Sequence, residues 1–181
     1  MNAITLLKED HKKMLALLGE LETTTPRAIK TRTGLVKKIA HELAIHTRIE
    51  EEIFYPALRA VGTKADETLY FEAMEEHYAV EDLVLPHLQG TDPAAECFSG
   101  RAKVLRELIE HHAKEEEREM FPRMQALLSL AELRELGARM AQRKAELLAP
   151  AAAPELGERL LDTLVSIGSP MSGALPQQPQ Q

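Results

Sequence analysis

The 181 residues are 44% hydrophobic and 28% charged, with a formal net charge of -7, a balance that suits one ordinary core and excludes a wholly disordered or membrane-embedded chain. The acidic excess, with a pI near 5.5, disfavours nucleic acid as the main partner; no apolar run approaches the about 20 residues of a membrane span, and the start MNAITLLKEDHKK is charged where a signal peptide is apolar, so a cytoplasmic protein is expected. The single cysteine, Cys97, can form no internal disulfide and no thiolate cluster, which leaves nitrogen and oxygen ligands for any metal.

Apolar residues recur at spacings of three and four. Ile4, Leu7, Met14, Leu15, Leu18 and Leu21 predict a first helix that ends in the TTTPR stretch around Pro26. Val36, Ile39, Leu43, Ile53, Phe54, Ala57 and Leu58 predict a second, ended near Gly62. The third runs from about Asp66 to Leu88 and stops at QGTDP, and the fourth covers roughly Glu96 to Leu128. Short connections between the four favour an all-α, antiparallel up-down bundle. SLAELRELGARMAQRKAELL predicts one more amphipathic helix on its outside, so that residues 1–150 form the bundle with its accessory helix. Residues 151–181, rich in Ala, Pro and Gln around the apolar island LLDTLVSI, are expected to be a largely disordered tail that can dock one small helix.

A repeat underlies this periodicity. Shifting the sequence by 66 places His11 on His77, His46 on His112, Glu50 on Glu116, Glu51 on Glu117 and Pro56 on Pro122, which predicts two helical hairpins related by an internal pseudo-twofold. Each of the four helices carries one histidine on its apolar face: His11 between Leu7 and Met14, His46 after Leu43, His77 after Ala73, and His112 after Leu108. Glu50 and Glu116 follow four residues after His46 and His112, one helical turn on and on the same face. A buried carboxylate without a counter-charge costs several kcal/mol or protonates. No inward Lys or Arg lies in these stripes, so a cation is the natural partner. Four imidazoles and two carboxylates suit iron, with manganese or zinc conceivable, and exceed the needs of one tetrahedral zinc. Two ions bridged by the glutamates fit the count, because each carboxylate oxygen can bind one metal.

The segment EHHAKEEEREMFP, residues 110–122, contains the pattern twice, as His111 with Glu115 and as His112 with Glu116. The second pair continues the Leu108 to Met120 stripe and matches His46 and Glu50 in the repeat; the first groups with Glu107 and Arg118 on the wet side.

With Asp10–His11, HTRIEEEIFYP, EEH at 75–77 and HAKEEEREMFP in this order, the chain from His11 to Met124 resembles the hemerythrin-like, or HHE cation-binding, family. The resemblance implies a non-haem centre of two iron ions, oxo- or hydroxo-bridged, with His11, His46, His77 and His112 as terminal ligands and Glu50 and Glu116 as bridges. It also implies small diatomic or peroxide ligands rather than a nucleic acid or membrane partner. The oxygen carriers of that family have a histidine where this chain has Glu81, and end in a histidine and an aspartate where it has His112 and Glu116. A more carboxylate-rich set favours ferric iron and speaks against reversible O2 transport. Glu81 is expected to face inward, as a further ligand or as an acceptor for an imidazole N–H. His41 and His87 are read as surface residues. Glu51, Glu52, Glu115, Glu117 and Glu119 are read as exterior charge, with contacts behind the ligands as the alternative.

Two functional readings remain open on sequence. One is a catalase-like or related oxidoreductase that handles peroxide, O2 or nitric oxide in oxidative stress. The other is a module that binds or senses iron or O2 without turnover. No nucleophile triad or phosphate-binding glycine loop supports a hydrolase or a nucleotide enzyme.

Overall fold

The structure, a computed structural model, describes residues 1–149; the expected tail of residues 151–181 lies outside them. Among the described residues there are helices and no strand. Helix α1 is Ala3–Glu22, started by Asn2, whose side chain accepts from the Thr5 N–H at 2.8 Å. Helix α2 joins Ile29–Ile49, a π-helical turn Glu50–Phe54 and Tyr55–Val61 into one rod. Helix α3 likewise joins Lys64–Tyr78, the π turn Ala79–Val84 and Leu85–Gln89. Helix α4 joins Cys97–Glu115, the π turn Glu116–Met120 and Phe121–Leu127, and α5 is Leu130–Leu148. Among the described residues, no helix is long and apolar enough to cross a membrane.

Three prolines account for the three widened turns. Pro56, Pro86 and Pro122 have no N–H, and their rings collide with the carbonyl four residues back. The chain relieves the collision by widening the turn: the residue before each proline donates five residues back, Tyr55 to Glu50, Leu85 to Val80 and Phe121 to Glu116. Two of these turns begin on Glu50 and Glu116 themselves, so each His-to-Glu spacing of four is completed in α-helical geometry before the register changes.

Helices α1 to α4 close an antiparallel ring, each touching the next and α4 touching α1. Helix α5 lies outside, across α1 and α2. A capping box between Ser129 and Glu132 starts it, with Ser129 N–H donating to the Glu132 carboxylate at 2.7 Å and Glu132 N–H to Ser129 Oγ at 3.3 Å. Gly137 lets α5 sit this close, because a Cβ there would stand 2.6 Å from the backbone of Asn2 and Ala3. Two apolar clusters fill the bundle, one around Leu7, Phe54, Tyr55 and Met124 under α5, the other around Leu18, Ile39, Leu88 and Leu105 toward the far end. A buried polar layer separates them.

At the far end Arg32, only 1% exposed, binds two loops together. It donates to Thr24 Oγ1 at 2.9 Å, Thr24 O at 3.0 Å, Pro93 O at 2.7 Å and Ser99 Oγ at 2.9 Å, and its guanidinium lies 4.7 Å from the centre of the Phe98 ring. Arg32→Ala is expected to lower stability by about 3 kcal/mol, because the partner carbonyls and hydroxyls stay buried without donors. A denaturant midpoint reads this loss. Arg32 is fourteen residues, roughly 21 Å along the helix, from His46, so metal content should not change.

Candidate metal centre

The polar layer consists of His11, His46, Glu50, His77, His112 and Glu116, all buried. Imidazoles from neighbouring helices form two pairs, His11 with His46 at 4.9 Å between ring centres and His77 with His112 at 4.7 Å. The carboxylates lie between the pairs. Glu50 Oε2 is 3.3 Å from His46 Nε2 and 3.4 Å from His77 Nε2; Glu116 Oε2 is 3.2 Å from His11 Nε2 and 3.8 Å from His112 Nε2. Each glutamate thus addresses one imidazole of each pair, and the atoms fall into two potential cation sites, His11–His46–Glu50–Glu116 and Glu50–His77–His112, which share Glu50.

Behind every imidazole stands a second carboxylate. Glu117 lies 3.1 Å from His11 Nδ1, Glu51 2.9 Å from His77 Nδ1, Glu76 2.7 Å from His112 Nδ1, and Asp10 3.8 Å from His46 Nδ1. For His11, His77 and His112 the carboxylate is within hydrogen-bond distance, which fixes a proton on Nδ1 and turns Nε2 toward the centre, while Asp10 stands beyond that distance from His46. The arrangement follows the repeat: Glu51 corresponds to Glu117, and Asp10 to Glu76, under the same shift of 66. Glu51 and Glu117 are therefore not simply exterior charge.

Glu81 does not join either group of ligand atoms; its carboxylate accepts from Thr47 Oγ1 at 2.9 Å. The π turn Ala79–Val84 explains the difference from Glu50 and Glu116. Here the widening begins two residues after His77, before the four-residue step is complete, and Glu81 is carried off the imidazole's face. His41 and His87 are exposed, as expected.

Tyr55, fully buried, adds a group that hydrophobic periodicity does not single out. Its hydroxyl donates to Glu116 Oε1 at 2.9 Å and lies 3.2 Å from His77 Nε2. Its counterpart in the repeat is Phe121, stacked 5.8 Å from His11. The two half-sites thus differ by one hydroxyl. The sequence signal is the aligned pair of dipeptides YP and FP in EEEIFYP and EEREMFP.

Charge in the layer is unbalanced. Burial, and then the nearby charge of Glu116, pushes Glu50 well above the usual carboxylate range. Burial also opposes ionisation of Glu116, but the imidazoles of His112, His11 and His46 outweigh it and hold Glu116 below its ordinary value. Burial lowers His46 to about 4. His11 and His112, for which burial acts the same way, are raised instead because Glu116 faces both. Burial and the carboxylates of Glu116 and Glu50 drive Tyr55 well above 10, which keeps its proton in place as a donor.

Among the described residues, six buried side-chain atoms have no hydrogen-bond partner: Asp10 Oδ2, His11 Nε2, His46 Nδ1, Glu50 Oε1 and Oε2, and Glu116 Oε2. Such atoms are rare in folded proteins. Four of them, His11 Nε2 and the three glutamate oxygens, belong to the central side chains, and they converge where cations in place of protons would satisfy them. The donor set fits metal ions. On the side of the second apolar cluster, the four imidazoles border a cavity of about 20 Å³ walled by Met14, Leu43, Val80 and Ile109, with room for one molecule the size of water.

Comparison with known proteins gives relatives for the sequence and for the fold. Residues 2–124 match the hemerythrin HHE cation binding domain. Uncharacterized proteins of Mycobacterium tuberculosis, Rv2633c, and of Mycobacterium bovis, Mb2666c, are 36% identical over 144 residues, which is 79% of this chain and 85% of theirs. The crystal structure of a hemerythrin HHE cation binding domain-containing protein, the Rv2633c homolog from Mycobacterium kansasii, is similar with a TM-score of 0.71 and 32% identity, covering 81% of this chain and 87% of that one.

Proposed function

The chain belongs to the hemerythrin HHE cation-binding family, and from that premise we propose that its buried layer holds two iron ions and handles peroxide, O2 or nitric oxide, most specifically as a catalase-like oxidoreductase. The observation that carries this reading is the pair of carboxylates, each between imidazoles of two hairpins, beside a small apolar cavity. His11 and His46 would hold one ion, His77 and His112 the other, and Glu50 and Glu116 both. An iron pair would supply the two electrons that separate peroxide from either water or O2.

The protein's own groups suit that chemistry. Met14, Leu43, Val80 and Ile109 keep bulk water from the imidazoles and admit small uncharged molecules. Tyr55 holds a proton at Oη within reach of both Glu116 and His77, where it can hydrogen-bond a reacting oxygen. Glu117, Glu51 and Glu76 keep the rings of His11, His77 and His112 turned with Nε2 inward.

Metal analysis and a peroxide assay on one sample of purified protein test the proposal. About two iron ions per chain are expected from the ligand count, with O2 evolved from hydrogen peroxide at a rate well above that of the same concentration of free iron. Two bound irons with no turnover of peroxide or nitric oxide would leave a binding or sensing module. Substoichiometric iron in protein refolded with excess metal would sink the paired site itself.

A further inference from the structure

The outer copy of the doubled pattern in residues 110–122 also meets ligand geometry. His111 Nε2, on a side chain 61% exposed, lies 3.5 Å from Glu115 Oε1 and 3.5 Å from Glu76 Oε1. Those separations are long for a hydrogen bond, and they are close to the spacing of two ligands each about 2.1 Å from one tetrahedral ion, about 3.4 Å. One nitrogen and two carboxylate oxygens from α3 and α4 converge here. Glu76 is shared: its Oε2 holds His112 Nδ1 at 2.7 Å, while its Oε1 faces His111. The outer cluster is therefore joined to the buried centre through a single carboxylate.

A crevice continues inward from the cluster. Glu72, Glu76 and Glu115 line it together with Leu69 and Met120, and it reaches Glu116, which is 2% exposed and whose Oε2 lacks a hydrogen-bond partner. Four carboxylates thus mark a path from the surface to a ligand of the buried centre. Arg118 approaches Glu115 at 4.0 Å but is engaged by Glu119 at 2.6 Å.

The repeat shows that this opening is particular to one half of the molecule. Under the shift of 66, Glu72, Glu76, His111 and Glu115 correspond to Leu6, Asp10, Ile45 and Ile49. Leu6, Ile45 and Ile49 are buried and apolar. Asp10 is bound by Lys144 of α5, and the neighbouring Glu52 by Arg143. One face is closed by aliphatic side chains and covered with cations; the other is open and acidic.

We propose that Glu76, His111 and Glu115 form a third, surface site for a divalent cation, and that the acidic crevice beside it is the port through which the buried centre is loaded. The port rests on the reading of that centre as a metal site; the surface site does not. A cleft of one charge sign concentrates counter-ions and speeds their capture by tenfold or more, and a borderline ion suits one imidazole and two carboxylates.

The test uses the full chain freed of metal by chelation, with Zn2+ to count sites and Fe2+ to follow uptake. Wild type is expected to bind one more Zn2+ than the double variant H111A/E115Q, and the double variant to take up Fe2+ roughly tenfold more slowly into an unchanged buried complement. Glu72→Gln, on the exposed rim of the crevice, should keep every site and slow uptake; Glu20→Gln, exposed near the other end of α1, should change neither. Equal Zn2+ counts in wild type and double variant overturn the surface site, and equal uptake rates in wild type, the double variant and Glu72→Gln overturn the port. Failure of the buried centre would show separately, as no tight metal left in the double variant while the difference of one ion persists.

Discussion

Glu116→Ala is expected to strip the chain of its buried metal and of any peroxide turnover, whereas Glu115→Ala, one residue earlier, leaves the buried metal in place. Glu116 is 2% exposed, and one of its oxygens lies between His11 and His112 while the other accepts from Tyr55. Its removal takes a carboxylate from the group His11–His46–Glu50–Glu116 and the acceptor at 2.9 Å from the Tyr55 hydroxyl. Loss of a group that merely orients a ligand weakens metal binding by 10- to 100-fold, so loss of a shared ligand should cost at least about 100-fold. Glu115 pairs with the exposed His111 and Arg118 and has no atom in the buried groups of ligand atoms. Iron analysis of the two purified variants decides the matter. Full loading of Glu116→Ala, or loss of the buried metal from Glu115→Ala, would mean that the outer pair of the doubled motif supplies the centre.

The six central residues are legible in the sequence because a histidine that interrupts an apolar stripe declares its own direction, and the repeat declares it twice. The same shift also pairs Asp10 with Glu76 and Glu51 with Glu117, so the carboxylates behind the imidazoles were within reach of the same reasoning. What local pattern could not convey is where the helical register changes. Glu81 has the same four-residue relation to His77 that Glu50 has to His46, and only the position of the π turn, set by Pro86, separates them. The ends of α1 to α3, at Glu22 before TTTPR, at Val61 before Gly62 and at Gln89 in QGTDP, fall where clustered turn residues favour leaving the helix. The way α5 closes one face does not follow from its own amphipathic pattern, because it depends on Gly137 admitting the α1 backbone and on Lys144 meeting Asp10 across 134 residues.

Metal removal should make the chain's stability fall as pH rises above about 6.5, and metal should reverse that trend. In the metal-free protein Glu50, raised by burial and by Glu116, and His11 and His112, raised by Glu116 against the effect of burial, hold protons that the unfolded chain has released. The folded state then binds more protons than the unfolded one, and each extra proton costs about 1.4 kcal/mol of stability per pH unit across the interval between the two pKa values. His46, lowered to about 4, is neutral in both states above its unfolded value of 6.5 and adds nothing there; below it, His46 pulls the other way. Cations displace the protons, so their affinity climbs with pH over the same window. The melting temperature of loaded protein minus that of chelated protein is therefore expected to widen as pH rises above 6.5. Glu50→Gln should flatten the slope of the chelated protein, since an amide carries no proton to lose, and it should raise that protein's stability at the alkaline end by removing a buried carboxylate that has no counter-charge. A chelated wild-type chain whose melting temperature is level or rising over that window would show that the layer holds no excess protons, and the case for cations as their natural replacement would go with it.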